Sequence, residues 1–81
     1  MENHIHTITL LFDQLGLNSS DAEINKFVTK NSPLSKDVEL YKAKFWNSSQ
    51  AICLKQMKEE DADWSDIVDQ LDVMLRRKND G

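Results

Sequence analysis

The segment that decides the fold of this chain is DWSDIVDQLDVML, which spans residues 63–75. Its apolar side chains recur at the spacing of an α-helix that buries one face, and acidic side chains stand between them. The apolar stripe consists of Trp64, Ile67, Val68, Leu71 and Leu75. Asp63 is a suitable N-cap, because its carboxylate can accept a hydrogen bond from a backbone N–H of the first turn. We therefore predict a helix that begins at Asp63 and forms the central element of the fold.

Two further helices are predicted in the first half of the chain from the same periodicity. The first covers about residues 8–15, with Thr7 as its N-cap and Gly16 in the C′ position, where glycine is favoured. The second begins after Ser20 and ends two or three residues before Pro33, which cannot continue a helix. Both helices are short and present one apolar face.

Capping-box spacing marks the start of two of the predicted helices. Ser20 and Glu23 stand three residues apart, so each side chain can accept a hydrogen bond from the other residue's backbone N–H. Asn47 and Gln50 have the same spacing and predict a helix that starts at residue 47 or 48. This third helix is expected to end near Glu60.

Residues 32–46 show no helical periodicity, and a lone extended piece here has no second strand to pair with. The segment is nevertheless apolar enough to pack against the helices. The predicted fold class is therefore all-α, a compact bundle of four short helices with a packed irregular segment between helices two and three. Its core is expected to contain Phe12, Phe27, Trp46, Trp64, Val68 and Leu71.

Length and composition predict one domain, residues 1–81, with an ordered core at about residues 5–77. The chain contains one cysteine, Cys53, so it can form no intramolecular disulfide. Its start lacks the basic and apolar regions of a signal peptide. Its apolar runs, such as Leu10–Phe12, are far shorter than the roughly 20 residues of a membrane span. We expect a cytoplasmic protein that does not enter the membrane.

The charge of the chain is unevenly distributed, with a net value of −4 at neutral pH. Acids are concentrated in the last third of the sequence, where they predict an acidic face that selects partners electrostatically. The residues of this predicted acidic face are Glu59, Glu60, Asp61, Asp66, Asp69 and Asp72.

Nucleic-acid binding is a weakly supported alternative, because helices two to four are short and closely spaced, as in helix-turn-helix proteins. It requires Lys26 and Lys30 of the second helix to form one patch with Lys55 and Lys58 of the third. The fourth helix presents acids, which repel phosphate. The sequence therefore disfavours this alternative.

The sequence contains no set of residues with the spacing of a catalytic, cofactor or metal site. His4 and His6 lack a third and fourth metal ligand at a fixed distance in the sequence. Cys53 has neither a second cysteine nor a nearby base, and it lies on the predicted inward face of its helix. We predict no catalytic residue, no cofactor and no bound metal.

Asp61, Asp63 and Ser65 resemble the first ligands of a calcium loop, but Asp66 stands where such a loop needs glycine. Helix capping and a solvated helix face explain these acids more simply. The remaining alternative is a small-ligand binder or an enzyme that uses carboxylates at residues 59–66. A carboxylate that acts as a general acid needs burial, whereas these lie at a solvent-facing helix start.

Three large apolar side chains are predicted on the outward faces of their helices. They are Leu10 on the first helix, Ile52 on the third and Val73 on the fourth. Three such residues in a small domain suggest a second buried surface. We therefore predict a non-catalytic protein–protein interaction module or small regulator, whose partner is another protein or a second copy in a homodimer.

Several short motifs resemble one known family. They are LFDQLGL (11–17), SPL (32–34), FW (45–46) followed by QA (50–51), and EDADW (60–64) running into VDQL (68–71). In this order they resemble a family of short bacterial proteins, domain-of-unknown-function family 2789, over about residues 4–76. Asn18 and Lys44 stand where we expect proline in that family. The resemblance implies a bacterial cytoplasmic protein, and it implies no activity, cofactor or functional residue.

Overall fold

The computed structural model describes residues 4–77, with side chains described from Ile8 onward. Residues 4–77 contain no β-strand, which confirms the predicted all-α fold class. A single turn of 3₁₀ helix, Leu40–Lys42, interrupts the segment that we predicted to be irregular. None of the described helices is long and apolar enough to cross a membrane. The helices are α1 (His4–Gln14), α2 (Asp21–Asn31), α3 (Ser48–Glu60) and α4 (Ala62–Arg76).

The end of α1 is fixed by Gly16, as its predicted C′ position requires. Gly16 has a φ of 74°, a left-handed conformation that glycine adopts without strain. Its N–H donates to the carbonyl of Asp13 (3.1 Å), and the N–H of Leu17 donates to the carbonyl of Phe12 (2.9 Å). These two bonds form a Schellman motif. The predicted N-cap at Thr7 is wrong, because the helical backbone continues upstream of that residue.

Ser20 caps the start of α2 by accepting a hydrogen bond from the N–H of Glu23 (3.3 Å). The other half of the predicted capping box is supplied by a different residue, because Asn18 Oδ1 accepts from the N–H of Ser20 (3.0 Å). The Glu23 carboxylate instead pairs with Lys26 (3.4 Å). Asn18 therefore does the capping that we assigned to Glu23.

The capping box predicted at the start of α3 is confirmed. The Asn47 side chain accepts from the N–H of Gln50 (2.8 Å), and the Gln50 side chain accepts from the N–H of Asn47 (3.0 Å). The amide of Gln50 also donates to the carbonyl of Leu15 (2.9 Å). This last bond joins the start of α3 to the end of α1.

One residue, Asp61, separates α3 from α4 and caps both helices. Its Oδ1 accepts a hydrogen bond from the N–H of Asp63 (3.1 Å). The predicted N-cap at Asp63 is therefore wrong by two residues, since Asp61 provides the same carboxylate earlier in the chain. The backbone is helical from Ala62 onward, so these residues do not form a calcium loop.

The segment between α2 and α3 is fastened to the end of α4. The N–H of Leu34 donates to the carbonyl of Leu75 (2.7 Å), and the Ser32 hydroxyl lies 3.5 Å from the carbonyl of Met74. These bonds satisfy carbonyl groups that the end of a helix otherwise leaves without a partner. The packing that we predicted for residues 32–46 is thus confirmed.

The core is built around α4, which contacts α1, α2 and α3 as predicted for the central helix. An aromatic cluster fills the space between α1, α2 and the irregular segment. The rings of Phe12 and Phe27 meet edge to face at a centroid distance of 5.4 Å, and Phe27 stacks on Trp46 at the same distance. Phe45 completes the cluster against Phe27.

Four of the six predicted core residues are buried: Phe12, Trp46, Val68 and Leu71. Phe27 is half-buried but belongs to the aromatic cluster. The prediction is wrong for Trp64, which is half-buried and packs against the margin of the core. Trp64 lies in the first turn of α4, which begins at Ala62, and so at the end of that helix.

Candidate functional site

A small cavity, which we call the notch, lies between the 3₁₀ helix, α3 and α4. Its volume is about 130 Å³. The apolar part of its wall includes the buried Leu40, Leu54 and Val68, one from each of the three elements. The remaining lining residues are Glu39, Tyr41, Lys58, Asp69, Asp72 and Arg76. The notch exists only when all three elements are folded together.

Arg76 closes the notch at the end of α4. Its Nη1 donates to the carbonyl of Ser35 (2.6 Å), and its Nη2 donates to the carbonyl of Val38 (2.8 Å). Its Nε donates to the carboxylate of Asp72, one helical turn earlier. The planar guanidinium suits several acceptors in fixed directions. Arg76 therefore holds the irregular segment against α4.

Lys58 of α3 and Asp69 of α4 form an ion pair across the rim of the notch, at 2.6 Å. The hydrogen bond to Asp69 raises the pKa of Lys58 above its ordinary value of 10.5, although desolvation acts in the opposite direction. Both side chains are about half exposed, so the pair contributes little to stability. It does keep the rim of the notch charged.

Tyr41 forms the outer wall of the notch. Desolvation, followed by a hydrogen bond with Glu39, raises the pKa of the Tyr41 phenol above its ordinary value of 10.0. The Nζ atoms of Lys42 and Lys55 each lie 5.9 Å from the centroid of the Tyr41 ring, within range of cation–π attraction. The phenol is therefore neutral at physiological pH and keeps its O–H as a donor.

The size and lining of the notch indicate what it can bind. Pockets for cofactors and drug-sized ligands usually enclose about 300–1,000 Å³, well above the volume found here. The two carboxylates that α4 contributes to the notch, Asp69 and Asp72, already accept a hydrogen bond from a cationic side chain. The geometry suits one apolar side chain of a partner protein better than a reacting substrate.

The predicted acidic face is divided among local interactions. Glu59 pairs with Lys55 within α3 at 3.0 Å, and Asp61 caps α4. Asp69 and Asp72 belong to the rim of the notch, where each has a cationic partner. These local interactions divide the predicted acidic face into smaller negatively charged patches.

The remaining members of the acidic face are Glu60 and Asp66, which are exposed near the junction of α3 and α4. Asp63 is exposed beside them. None of these three carboxylates lines the notch. The carboxylates that we considered for an enzyme or ligand binder thus face solvent at helix ends.

The three predicted interface residues are exposed, as helix periodicity predicts. Leu10, Ile52 and Val73 are 47%, 58% and 55% exposed. Each faces away from the core, since Ile52 lies opposite the buried Leu54 and Val73 opposite the buried Leu71. Leu10 and Ile52 do not line the groove that contains Val73. Of the three side chains, only that of Val73 lines this groove.

The Val73 groove is a shallow depression of about 350 Å³ on α4, lined by Asp69, Gln70, Val73, Met74 and Arg77. Val73 and the half-buried Met74 give it an apolar centre, while Asp69 and Arg77 place opposite charges at its ends. Among the described side chains, Gln70 Oε1 is a buried acceptor without a hydrogen-bond donor. The groove thus combines apolar, charged and unsatisfied polar groups.

The lysines that nucleic-acid binding requires are mostly engaged with acids. Lys26 pairs with Glu23 at 3.4 Å. Lys55 and Lys58 pair with acids of α3 and α4, whereas Lys30 is exposed. Phosphate binding by these residues would compete with the existing ion pairs.

The described side chains include only some of the residues that we weighed as metal ligands or nucleophiles. The side chains of His4 and His6 lie outside the described part of the structure. Among the described side chains there is no group of three or more His, Cys, Asp or Glu residues arranged to hold a metal ion. Cys53 is a free, half-buried thiol on α3.

Sequence analysis missed the notch and the role of Arg76 in it. The lining residues come from separate parts of the chain, and no spacing rule joins them. The available signal was the apolar pair Leu40 and Tyr41 in a segment without helical periodicity. The local sequence around Arg76 indicates only a favourable charge at a helix C-terminus.

Comparison with protein families gives one match. Residues 1–75 match the sequence model of the family described as "Protein of unknown function (DUF2789)". This match spans nearly the whole chain and agrees with the resemblance carried by the short motifs. No curated protein and no solved structure matches the chain.

Proposed function

The chain belongs to the DUF2789 family, and from this premise we propose that it is a non-catalytic protein–protein interaction module or small regulator. The observation that carries the proposal is the Val73 groove, an apolar depression on the solvent side of α4 with charges at both ends. An exposed apolar centre within a polar rim is typical of protein interfaces. Its partner is another protein or a second copy of this chain.

The other exposed apolar side chains extend the surface available for binding. Leu10 and Ile52 are about as exposed as Val73, and each lies on a different helix. Each such side chain is about half exposed, so its burial by a partner contributes about 1 kcal/mol before the cost of association. The partner contacts proposed for this chain therefore include all three residues.

The notch supports the same proposal from a second side of α4. An apolar wall with a charged rim accepts one apolar side chain while excluding water around it. Segment 32–46 contributes Leu40 and Tyr41 to this site, so the irregular segment forms part of a binding surface.

Charge distribution is expected to set specificity rather than affinity. The exposed Glu60 and Asp66 favour a partner with basic side chains near the junction of α3 and α4. We place this interaction in the bacterial cytoplasm, in keeping with the single half-buried Cys53, which suits a reducing compartment.

The experiment that tests the proposal combines affinity capture from a lysate of the natural host with the solution mass of the purified chain. Leu10→Asp, Ile52→Asp and Val73→Asp are compared with wild type. Asn25→Asp, an exposed substitution on α2, is the matched control. We expect the control to behave as wild type. The variants in which an exposed apolar residue is replaced by aspartate should lose a captured protein or shift towards the monomer mass.

The proposal is overturned if wild type is monomeric at high concentration and recovers no protein whose capture depends on Leu10, Ile52 or Val73. Circular dichroism of each variant establishes that a loss of binding does not come from a loss of the helical fold.

A further inference from the structure

We propose that the Val73 groove binds the α4 helix of a second copy of this chain, packed antiparallel about a two-fold axis at Val73. This inference rests on the proposed function and identifies its partner. It is argued from the apolar centre of the groove and from the spacing of its charges.

The centre of the groove needs an apolar cover. Val73 is 55% exposed, and Met74 beside it is half-buried. A second α4 that crosses at Val73 would cover each valine with the other, so the same surface serves both copies.

The charges of the groove are complementary to themselves in an antiparallel arrangement. Asp69 and Arg77 lie four residues before and four residues after Val73, about 6 Å away in each direction along the helix. A two-fold axis at Val73 therefore places Asp69 opposite Arg77 of the partner subunit, and the symmetry repeats this pair. A parallel arrangement would instead set like charges against each other, which disfavours it.

Asp69 can form this contact without losing its existing one. Lys58 binds Oδ1 of the Asp69 carboxylate at 2.6 Å. A carboxylate has four lone-pair positions on two oxygens, so it can accept a second cation. The result is a chain of alternating charges that crosses between the copies.

The contact area sets the expected strength of the dimer. Stable interfaces bury roughly 800 Å² of each partner, whereas one face of a 15-residue helix offers less. We therefore expect self-association in the micromolar range or weaker, which requires measurements over a wide range of concentration.

The first test is disulfide cross-linking at the axis. Val73→Cys is prepared in a Cys53→Ser background, so that the new thiol is the only one in the chain. Two cysteines on the axis face each other and should form a disulfide-linked dimer on mild oxidation. The matched control is Asn25→Cys in the same background, an exposed position on α2 that is not among the proposed partner contacts. Cross-linking of Val73→Cys no faster than that of the control overturns the proposal.

The second test is a charge exchange measured by sedimentation equilibrium. Asp69→Lys and Arg77→Glu should each weaken self-association roughly tenfold, because each removes two symmetric pairs. The double variant restores opposite charges and should recover most of the wild-type affinity. If the double variant self-associates more weakly than both single variants, the antiparallel arrangement is overturned.

These tests separate this inference from the proposed function. A monomeric chain that still captures another protein through Val73 overturns the second copy as the partner and leaves the interaction module intact. A monomeric chain with no capture that depends on Leu10, Ile52 or Val73 overturns both.

Discussion

Arg76 is the residue whose role is best defined by the structure. It donates to the Asp72 carboxylate within α4 and to the carbonyls of Ser35 and Val38 in the irregular segment. A lysine has one terminal nitrogen, so it cannot bind acceptors in these directions at the same time. The guanidinium therefore joins a long connection to the helix that forms the centre of the fold.

Replacement of Arg76 by lysine tests this role while conserving the charge. We expect Arg76→Lys to lower the free energy of unfolding by about 1–2 kcal/mol, since it removes hydrogen bonds from a mostly buried cation. Urea denaturation measures this change. Arg77→Lys, one residue further along on an exposed side chain, is the control and should be close to wild type. Equal stabilities of the two variants would show that the guanidinium contacts contribute nothing.

At the scale of secondary structure, helix ends are set by a few local hydrogen bonds. Gly16 ends α1 with a left-handed conformation, and Asn47 begins α3 with a reciprocal capping box. These ends determine where the chain turns, and so which faces of the helices meet. Gln50 then ties the two ends together through the carbonyl of Leu15.

Substitution of Gly16 measures the contribution of backbone conformation to this arrangement. A Cβ atom at this position meets no other atom within 4 Å, so the cost of Gly16→Ala comes from the positive φ of 74° alone. We expect a loss of about 1 kcal/mol, or about 4–8 °C in the melting temperature. Gly16→Asn should cost less, because asparagine tolerates this conformation better. A Gly16→Ala variant with the same melting temperature as wild type would contradict this explanation of the turn.

At the scale of the whole molecule, three groups with raised pKa values determine how stability depends on pH, and one of them, Lys58, belongs to an ion pair between α3 and α4. The pKa values of Lys55 and Lys58 are raised chiefly by hydrogen bonds to Glu59 and Asp69, and that of Tyr41 is raised by desolvation. A raised pKa means that the folded chain holds the proton more tightly than the unfolded chain. The stability from these groups is therefore complete below the ordinary values of 10.0 and 10.5 and is lost as pH rises above them.

The expected outcome is a melting temperature that is insensitive to these three groups near neutral pH and falls above about pH 10. Circular dichroism melts between pH 7 and 11.5 measure it. Tyr41→Phe removes one of the titrating groups and should reduce the slope at high pH. If the slope of Tyr41→Phe equals that of wild type, burial of the phenol does not affect the stability at high pH.

The exposed apolar residues show how far sequence reasoning reaches at this scale. Periodicity within each helix placed Leu10, Ile52 and Val73 on outward faces, and their exposure agrees. Periodicity could not show how these faces are arranged relative to one another, because that depends on how the helices pack. Their role as an interface stays a prediction.

The sequence by itself determined the class of fold, the existence of four helices and most of their ends. These features depend on contacts between residues three or four positions apart, and such contacts can be predicted from the spacing of residues in the sequence. The errors in the predicted helix ends were local as well. Asp61 and Asp63 offered the same capping carboxylate two residues apart, and only the structure shows which one begins α4.

Tertiary structure alone decided the notch, the contacts of Arg76 and the composition of the Val73 groove. The carbonyl groups that Arg76 binds, those of Val38 and Ser35, lie 38 and 41 residues away in the sequence, beyond any spacing rule. Tertiary structure also moved Trp64 to the margin of the core, because a residue in the first turn of a helix lies at the end of the bundle. Patterns of neighbouring residues determine helices and their ends. Binding surfaces form where elements distant in the sequence pack against each other, and that close packing depends on all of the elements at once.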